Sequence, residues 1–310
     1  MPHTEKTKRK PKRTNLLNLI EYASFRALLW KLGLFPYKLS RKVIVGLFIG
    51  IGYGLGIRKK TAEHQLRMVY PDWSEQKIKQ VLRDVYRNLG LTTAEIYLQK
   101  ENQFLESISF SGMNHIDKAR ELGRGVILAT AHLGNWEAAR VFPYFGIPLS
   151  VVVKKQHNPY FDTFNNQIRM KHGVSLINFR RGLRDILKHL NQNEVVAILS
   201  DQNAGEAGLV SDFLGFPASH WKGVAKLSLR YQVPIVPGFS VRTPEGGIKF
   251  SFEPMIFHPE LDDKDENYPY VLTKINAVIE KYVNRYPEQW LWLHKRWKAT
   301  GAMRTELPDF

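Results

Sequence analysis

The stretch GVILATAHLGNWE, residues 125–137, decides the fold. Its first seven residues are a short continuous apolar run, the mark of a strand buried on both faces. Asn135 then stands where a helix N-cap is expected, which puts Glu137 in the first turn of a helix over 135–145. Working outward, the same alternation repeats. Strands are expected at 149–153, 174–177, 194–200, 234–241 and 248–257, and helices at 159–172, 181–191, 220–232 and 268–286. Strands alternating with helices of ten or more residues indicate an α/β fold, a mainly parallel twisted sheet flanked by helices. Upstream, residues 61–100 read as helical, broken at Pro71 and Asp72 and restarted behind a Ser74 cap.

The chain has 310 residues, 44% hydrophobic and 12% aromatic, enough for a sizeable core. There is no cysteine, which removes disulfides, thiolate metal sites and cysteine nucleophiles together. Lys and Arg number 45 against 29 Asp and Glu, a net charge of +16, so an anionic partner is expected. The first residues hold Lys6, Lys8, Arg9, Lys10, Lys12 and Arg13 against Glu5, a basic arm over 1–14 expected to be disordered. Beside an anionic membrane each such cation contributes about 1 kcal/mol. Residues 16–34 form an amphipathic helix interrupted by Glu21, Arg26 and Lys31. Residues 43–57, VIVGLFIGIGYGLGI, then carry no charge and lie between Arg41, Lys42 and Arg58, Lys59, Lys60. Roughly twenty residues are needed to span a bilayer, so this segment suits an embedded anchor better than a clean span. Gly46, Gly50 and Gly54, four apart, would let another helix approach. The expected organisation is an arm over 1–14, hydrophobic membrane-anchor helices over 15–60 and an α/β catalytic domain over 61–310.

Signatures for nucleotides, zinc and serine hydrolases are missing: there is no GxxxxGK[ST], GxGxxG, HExxH or GxSxG. A nucleic-acid-binding protein would explain the charge, but no helix-turn-helix, RRM or zinc pattern accompanies it. The candidate chemistry lies at His132, at the carboxyl end of the buried strand, where open α/β sheets gather functional groups. On one continuous helix, His132 and Glu137 would point about 140° apart. They meet only across a turn, which Gly134 supplies. A carboxylate touching an imidazole fixes its tautomer and strengthens it as a base. With no Ser or Cys beside it, such a pair suits general-base activation of a substrate hydroxyl.

The box AHLGNWEAA, residues 131–139, resembles the H-x4-[DE] box of the membrane-bound glycerolipid and lipid A acyltransferases. It looks most like the late (lauroyl or myristoyl) acyltransferases of lipid A biosynthesis. Three further blocks follow in the family's order. They are NPYFD at 158–162 with Arg169 and Gly173, then Ser200-Asp201-Gln202 with FLGFPA at 213–218 and Lys222-Gly223, and finally PEQWLWLHKRW at 287–297. Glu137 in place of Asp favours the lipid A branch, and His220 stands where Thr or Ser is more usual. The resemblance implies transfer of a fatty acyl group from acyl-carrier protein or coenzyme A to a hydroxyl of a lipid-anchored sugar, at the cytoplasmic face of the inner membrane. His132 would be the base and Glu137 would orient it. A thioester is already activated, so neither a cofactor nor a metal is demanded. The developing oxyanion needs donors, with backbone N–H groups near Gly134 and Asn135 as candidates.

The supporting residues stay open between roles. Arg169 either grips a phosphate or carboxylate or is solvated, and Asp201 either orients a base or Arg or caps a loop. Lys222 either binds phosphate or is exposed. Trp290 and Trp292 are expected in the core, and a membrane-interface position remains open for Trp297. The expected partners are the acyl donor, an anionic glycolipid and a membrane, with no nucleic acid. The alternatives are an acyltransferase for another glycosylated membrane lipid, of mannoside type, and a non-catalytic basic membrane-associated binding protein.

Overall fold

A computed structural model describes residues 15–178 and 182–302. The basic arm over 1–14 lies outside them. The N-terminal third is helical: α1 (Asn15–Gly33), α2 (Tyr37–Leu47), a π-helical turn (Phe48–Tyr53), α3 (Lys59–Val69), α4 (Glu75–Tyr97) and α5 (Glu101–Glu106). The Ser74 hydroxyl accepts from the Lys77 N–H, as the cap reading expects. Then follow β1 (Ile108–Ser111), α6 (Met113–Glu121), β2 (Val126–Thr130), a 3₁₀ helix (Trp136–Phe145), β3 (Leu149–Val153), α7 (Pro159–Lys171), β4 (Ser175–Asn178) and α8 (Gly182–Asn191). The chain closes with β5 (Val195–Leu199), β6 (Leu209–Phe213), β7 (Phe216–His220), α9 (Gly223–Tyr231), β8 (Ile235–Arg242), β9 (Ile248–Phe252), α10 (Tyr268–Arg285) and a 3₁₀ turn (Pro287–Gln289).

Seven strands form one sheet in the order β1-β9-β8-β2-β5-β3-β4. Every neighbouring pair is parallel except β8 with β9. β2 is central, flanked by β5 and β8, so Thr130 sits opposite Leu199. The central strands are buried on both faces, which explains their unbroken apolar runs. One face packs Ile127, Ala129, Val196 and Ile235 under α9 and α10. The other packs Val126, Leu128, Val195, Phe250 and Phe252 under α6 and the 3₁₀ helix.

Two expectations change here. The sequence placed a helix from residue 220, whereas residues 209–220 form the β6–β7 hairpin, turned by Leu214 (φ 52°) and Gly215 (φ 81°). Two positive φ values in succession give a turn whose twist matches the strands. Pro217 and the lack of alternation in FPASH hid the second strand.

The second change concerns how the apolar segment over 43–57 is built. Among the described residues no helix is long and apolar enough to cross a membrane. Residues 43–57 split between α2, the π-helical turn and a bend that ends at Arg58 (φ 56°). Part of the segment is spent on protein contact. A Cβ on Gly52 would lie 2.7 Å from the Tyr86 ring, and one on Gly90 would lie 2.9 Å from the backbone of Val45. Close approach therefore occurs at Gly52 and at Gly90 of α4. Gly46 and Gly50 have open space beside them.

Candidate active site

His132 follows β2 at the carboxyl edge of the sheet, and Asp201 follows the adjacent β5. Strand pairing alone brings these two residues together. Asp201 is buried, and its carboxylate accepts three bonds. Its Oδ1 takes the His132 Nδ1–H at 2.8 Å, and its Oδ2 takes the His132 backbone N–H and the Trp290 indole N–H, each at 2.8 Å. Burial pushes this carboxyl up. The His132 charge and the bonds from His132 and Trp290 override that and hold it below its ordinary value. An ionised Asp201 only accepts, so Nδ1 carries a proton, and in the neutral ring the lone pair is on Nε2. Gln202 meets that nitrogen, its side-chain N–H donating across 3.3 Å.

Glu137 does not orient the imidazole. It forms a two-pronged pair with Arg169, Nε to Oε2 at 3.0 Å and Nη2 to Oε1 at 2.5 Å. The reason is local geometry. The 3₁₀ helix begins at Trp136, whose ring packs edge-on to His132 with centroids 5.2 Å apart. The next residue on a three-residue turn points about 120° away, towards α7. Arg169 is thus a carboxylate-gripping residue whose carboxylate is the protein's own. Burial works against its charge, and the Glu137 carboxylate overrides that, raising the guanidinium above its ordinary value.

Gly134 supplies the expected turn (φ 61°), and a Cβ there would lie 2.0 Å from the Ser240 carbonyl oxygen. The loop is clamped from all sides. The His132 carbonyl accepts from Leu291 N–H (3.1 Å), and Gly134 N–H donates to the Gln289 carbonyl (2.9 Å). The Gly134 carbonyl accepts from Asn88 (3.2 Å) and Thr92 (3.3 Å). The successive N–H groups of His132, Leu133 and Gly134 are all taken, by Asp201, Ala131 and Gln289. Gly134 therefore offers no oxyanion donor.

Asn135 is fully buried and makes no cap bond. Its Nδ2 donates to Glu95 Oε2 at 2.7 Å, and Glu95 is paired in turn with Arg242. The cap reading fails because α4 supplies a buried carboxylate that outcompetes the helix end. Lys222 lies away from the imidazole, in a surface ion pair with Asp265 at 3.5 Å. Its neighbour, His220, packs behind the site against buried Arg296, whose Nη2 donates to its Nδ1 at 2.9 Å. Trp290, Trp292 and Trp297 are all core residues. Trp290, Gln202 and Glu95 have roles that sequence reading missed. Trp290 and Gln202 lie within the closing and third blocks, whereas Glu95, on α4, carried no signal.

A cavity of about 90 Å³ lies between the sheet and the 3₁₀ helix, reaching Thr130 at the end of β2 and Trp136, whose ring packs on His132. Its polar end holds Trp136, Glu137 and Arg169. Its interior is apolar, with Leu128, Val151, Ala197, Phe142, Phe250 and Phe252. The lining residues of β2, β5, β8 and β9 alternate, as one face of a pleated sheet must, whereas Val151, Val152 and Val153 at the end of β3 all reach it. Among the described residues no group of three or more His, Asp or Glu side chains is placed to hold a metal.

A His–Asp pair whose Nε2 meets only a neutral amide, close to an apolar slot, has the make-up of a base for acyl transfer to an alcohol. The sequence profile of the bacterial lipid A biosynthesis acyltransferases matches residues 7–299, and the chain belongs to this family. It is an acyltransferase of lipid A biosynthesis. It is 26% identical to the lipid A biosynthesis lauroyltransferase of Escherichia coli over 285 residues, covering 87% of this chain and 89% of the relative. It is 24% identical to a lipid A biosynthesis acyltransferase of Haemophilus influenzae over 266 residues, covering 83% and 81%. It is also 23% identical to the phosphatidylinositol mannoside acyltransferase of Mycobacterium tuberculosis, over 61% of this chain and 59% of the relative.

Proposed function

We propose that the enzyme moves a fatty acyl chain from an acyl thioester, on acyl-carrier protein or coenzyme A, to a hydroxyl of a lipid A precursor. His132 acts as the general base. The observation that carries this reading is the Asp201 carboxylate on Nδ1, which leaves Nε2 as the nitrogen that takes the hydroxyl proton once the hydroxyl displaces the Gln202 amide. The alkoxide oxygen attacks the thioester carbon. The tetrahedral adduct then expels the thiolate, which recovers the proton from Nε2. Asp201 holds the imidazole in its tautomer and offsets its transient charge. The Glu137–Arg169 pair ties the 3₁₀ helix to α7 and so shapes the roof of the slot that receives the acyl chain. Lipid A precursors are favoured over mannosides as acceptors because the relatives that act on lipid A match over more of both chains.

The acceptor is a membrane lipid, and the N-terminal helices supply the contact. Leu16, Ile20, Trp30, Leu34 and Leu55 are each more than half exposed. Lys31, Lys38, Arg41, Lys42 and Arg58 lie among them. Large apolar side chains left bare and bordered by cations suit a helix lying in an anionic bilayer surface. The opposite side of α1 is docked on α7 through Tyr22 with Tyr160 and Phe25 with Phe161. The lipid-facing helix therefore abuts the helix that carries Arg169. This arrangement supports a position at the inner membrane with the active site on the cytoplasmic side, where acyl thioesters are available.

Mass spectrometry of membrane glycolipids from cells lacking the gene, complemented with wild type or His132→Ala, tests the reading. Loss of one acyl chain, restored by wild type alone, is the expected result. An unchanged profile, or rescue by His132→Ala, overturns it.

A further inference from the structure

The mechanism needs a donor for the carbonyl oxygen as it takes up charge, and the N–H groups of residues 132–134 are engaged. His132, Leu133 and Gly134 donate to Asp201, Ala131 and Gln289, and the Arg169 guanidinium is held by Glu137 and Asn166. Gln202 is different. Its side-chain amide donates to Nε2 of His132, the atom that takes the proton. A donor 3.3 Å from Nε2 lies within hydrogen-bond reach of the space where the hydroxyl and the thioester carbonyl must meet.

We propose that Gln202 is a catalytic residue, the side-chain oxyanion donor of the acyl transfer. This rests on His132 being the base. In the resting enzyme the Gln202 N–H occupies the Nε2 lone pair. The acceptor hydroxyl displaces that N–H when it hydrogen-bonds to Nε2, and once its proton has crossed, the nitrogen has no lone pair for the amide to return to. The displaced amide N–H bonds to the thioester oxygen as the new C–O bond pushes negative charge onto it. When the C–S bond breaks, the carbonyl reforms. The thiolate takes the proton from Nε2, and the amide returns to the free lone pair. The bond to the oxygen strengthens as the charge grows, so it lowers the barrier more than it tightens ground-state binding.

Gln202→Leu removes the donor at similar volume, and Gln202→Met is a second apolar variant of similar length. Each is assayed as full-length enzyme in anionic lipid vesicles, with lauroyl-acyl-carrier protein and a lipid A precursor purified from cells lacking the enzyme. We expect kcat to fall on the order of 10²–10³-fold with both KM values within about threefold of wild type. Nitrogen NMR of the histidines should show the His132 Nε2 signal moving towards that of an unbonded lone pair. If either variant folds and keeps kcat within about threefold, or loses activity wholly through KM, the assignment is overturned. His132→Ala separates this from the reading beneath it. Activity retained in His132→Ala removes the base itself, whereas an inactive His132→Ala beside a fully active Gln202→Leu removes only the role of Gln202.

Discussion

The Nδ1 atom of His132 lies 2.8 Å from Oδ1 of Asp201, a residue 69 positions further along the chain. The other oxygen of that carboxylate is held by the Trp290 indole, 89 positions beyond Asp201. Three segments distant in sequence thus fix one imidazole.

Replacing that carboxylate by its amide tests the relationship. Asp201→Asn presents an N–H to the ring and selects the wrong tautomer, leaving Nε2 protonated. By analogy with other His–Asp sites, kcat should drop on the order of 10³–10⁴-fold. Steady-state rates of lauroyl transfer, with a melting curve to verify folding, measure it. A variant with near-normal kcat would remove Asp201 from the mechanism.

Acid should destabilise the protein through two buried histidines. Burial, then the Arg296 charge, pushes His220 down to about 3. Burial, with the charges of His132 and Arg296 and against that of Asp201, pushes His294 down to about 4. Both stay neutral in the folded state at pH values where the unfolded chain protonates them. The unfolded state then binds more protons, so stability is full above about pH 6.5 and falls as pH drops towards 4. The slope is at most about 1.4 kcal/mol per pH unit for each histidine. His220→Gln should flatten the dependence of Tm on pH over this range. Identical slopes in the two proteins count against it.

Gly134 has no room for a side chain. Gly134→Ala forces an L-residue into the left-handed region, at about 1–2 kcal/mol, and drives a methyl group into the Ser240 carbonyl. The loop carrying His132 must shift, so transfer activity should fall by more than Tm alone accounts for. Rates at a temperature well below the variant's Tm decide this, and a cool enzyme of normal rate speaks against the clamp.

Ala197 faces the interior of the slot. Ala197→Leu fills space that a fatty chain would occupy, so preference should shift to shorter donors. A methylene in an apolar pocket is worth about 1–3 kcal/mol in discrimination. The ratio of kcat/KM for lauroyl over myristoyl thioesters should rise accordingly. A constant ratio would place the acyl chain elsewhere.

Much of the architecture was legible beforehand. The runs at 126–130 and 149–153 have no charge and no alternation, and burial on both sheet faces demands that. Ser74 announced α4. The β6–β7 hairpin was not legible, because Pro217 and a mixed pattern in 216–220 carry no strand period. Residues 43–57 read as one apolar run, and hydropathy does not record that Gly52 and Gly90 draw part of it onto α4.

The amino-acid order alone established the alternation of strands and helices, the place of His132 at a strand end and the need for a turn at Gly134. All three follow from interactions between near neighbours, and period and φ preference record those directly. Which acid reaches the imidazole was decided by tertiary structure. Glu137, five residues away, is turned to Arg169 by a three-residue helical repeat. Asp201 arrives because β5 lies beside β2 in the sheet, and strand adjacency is settled by packing across the whole core.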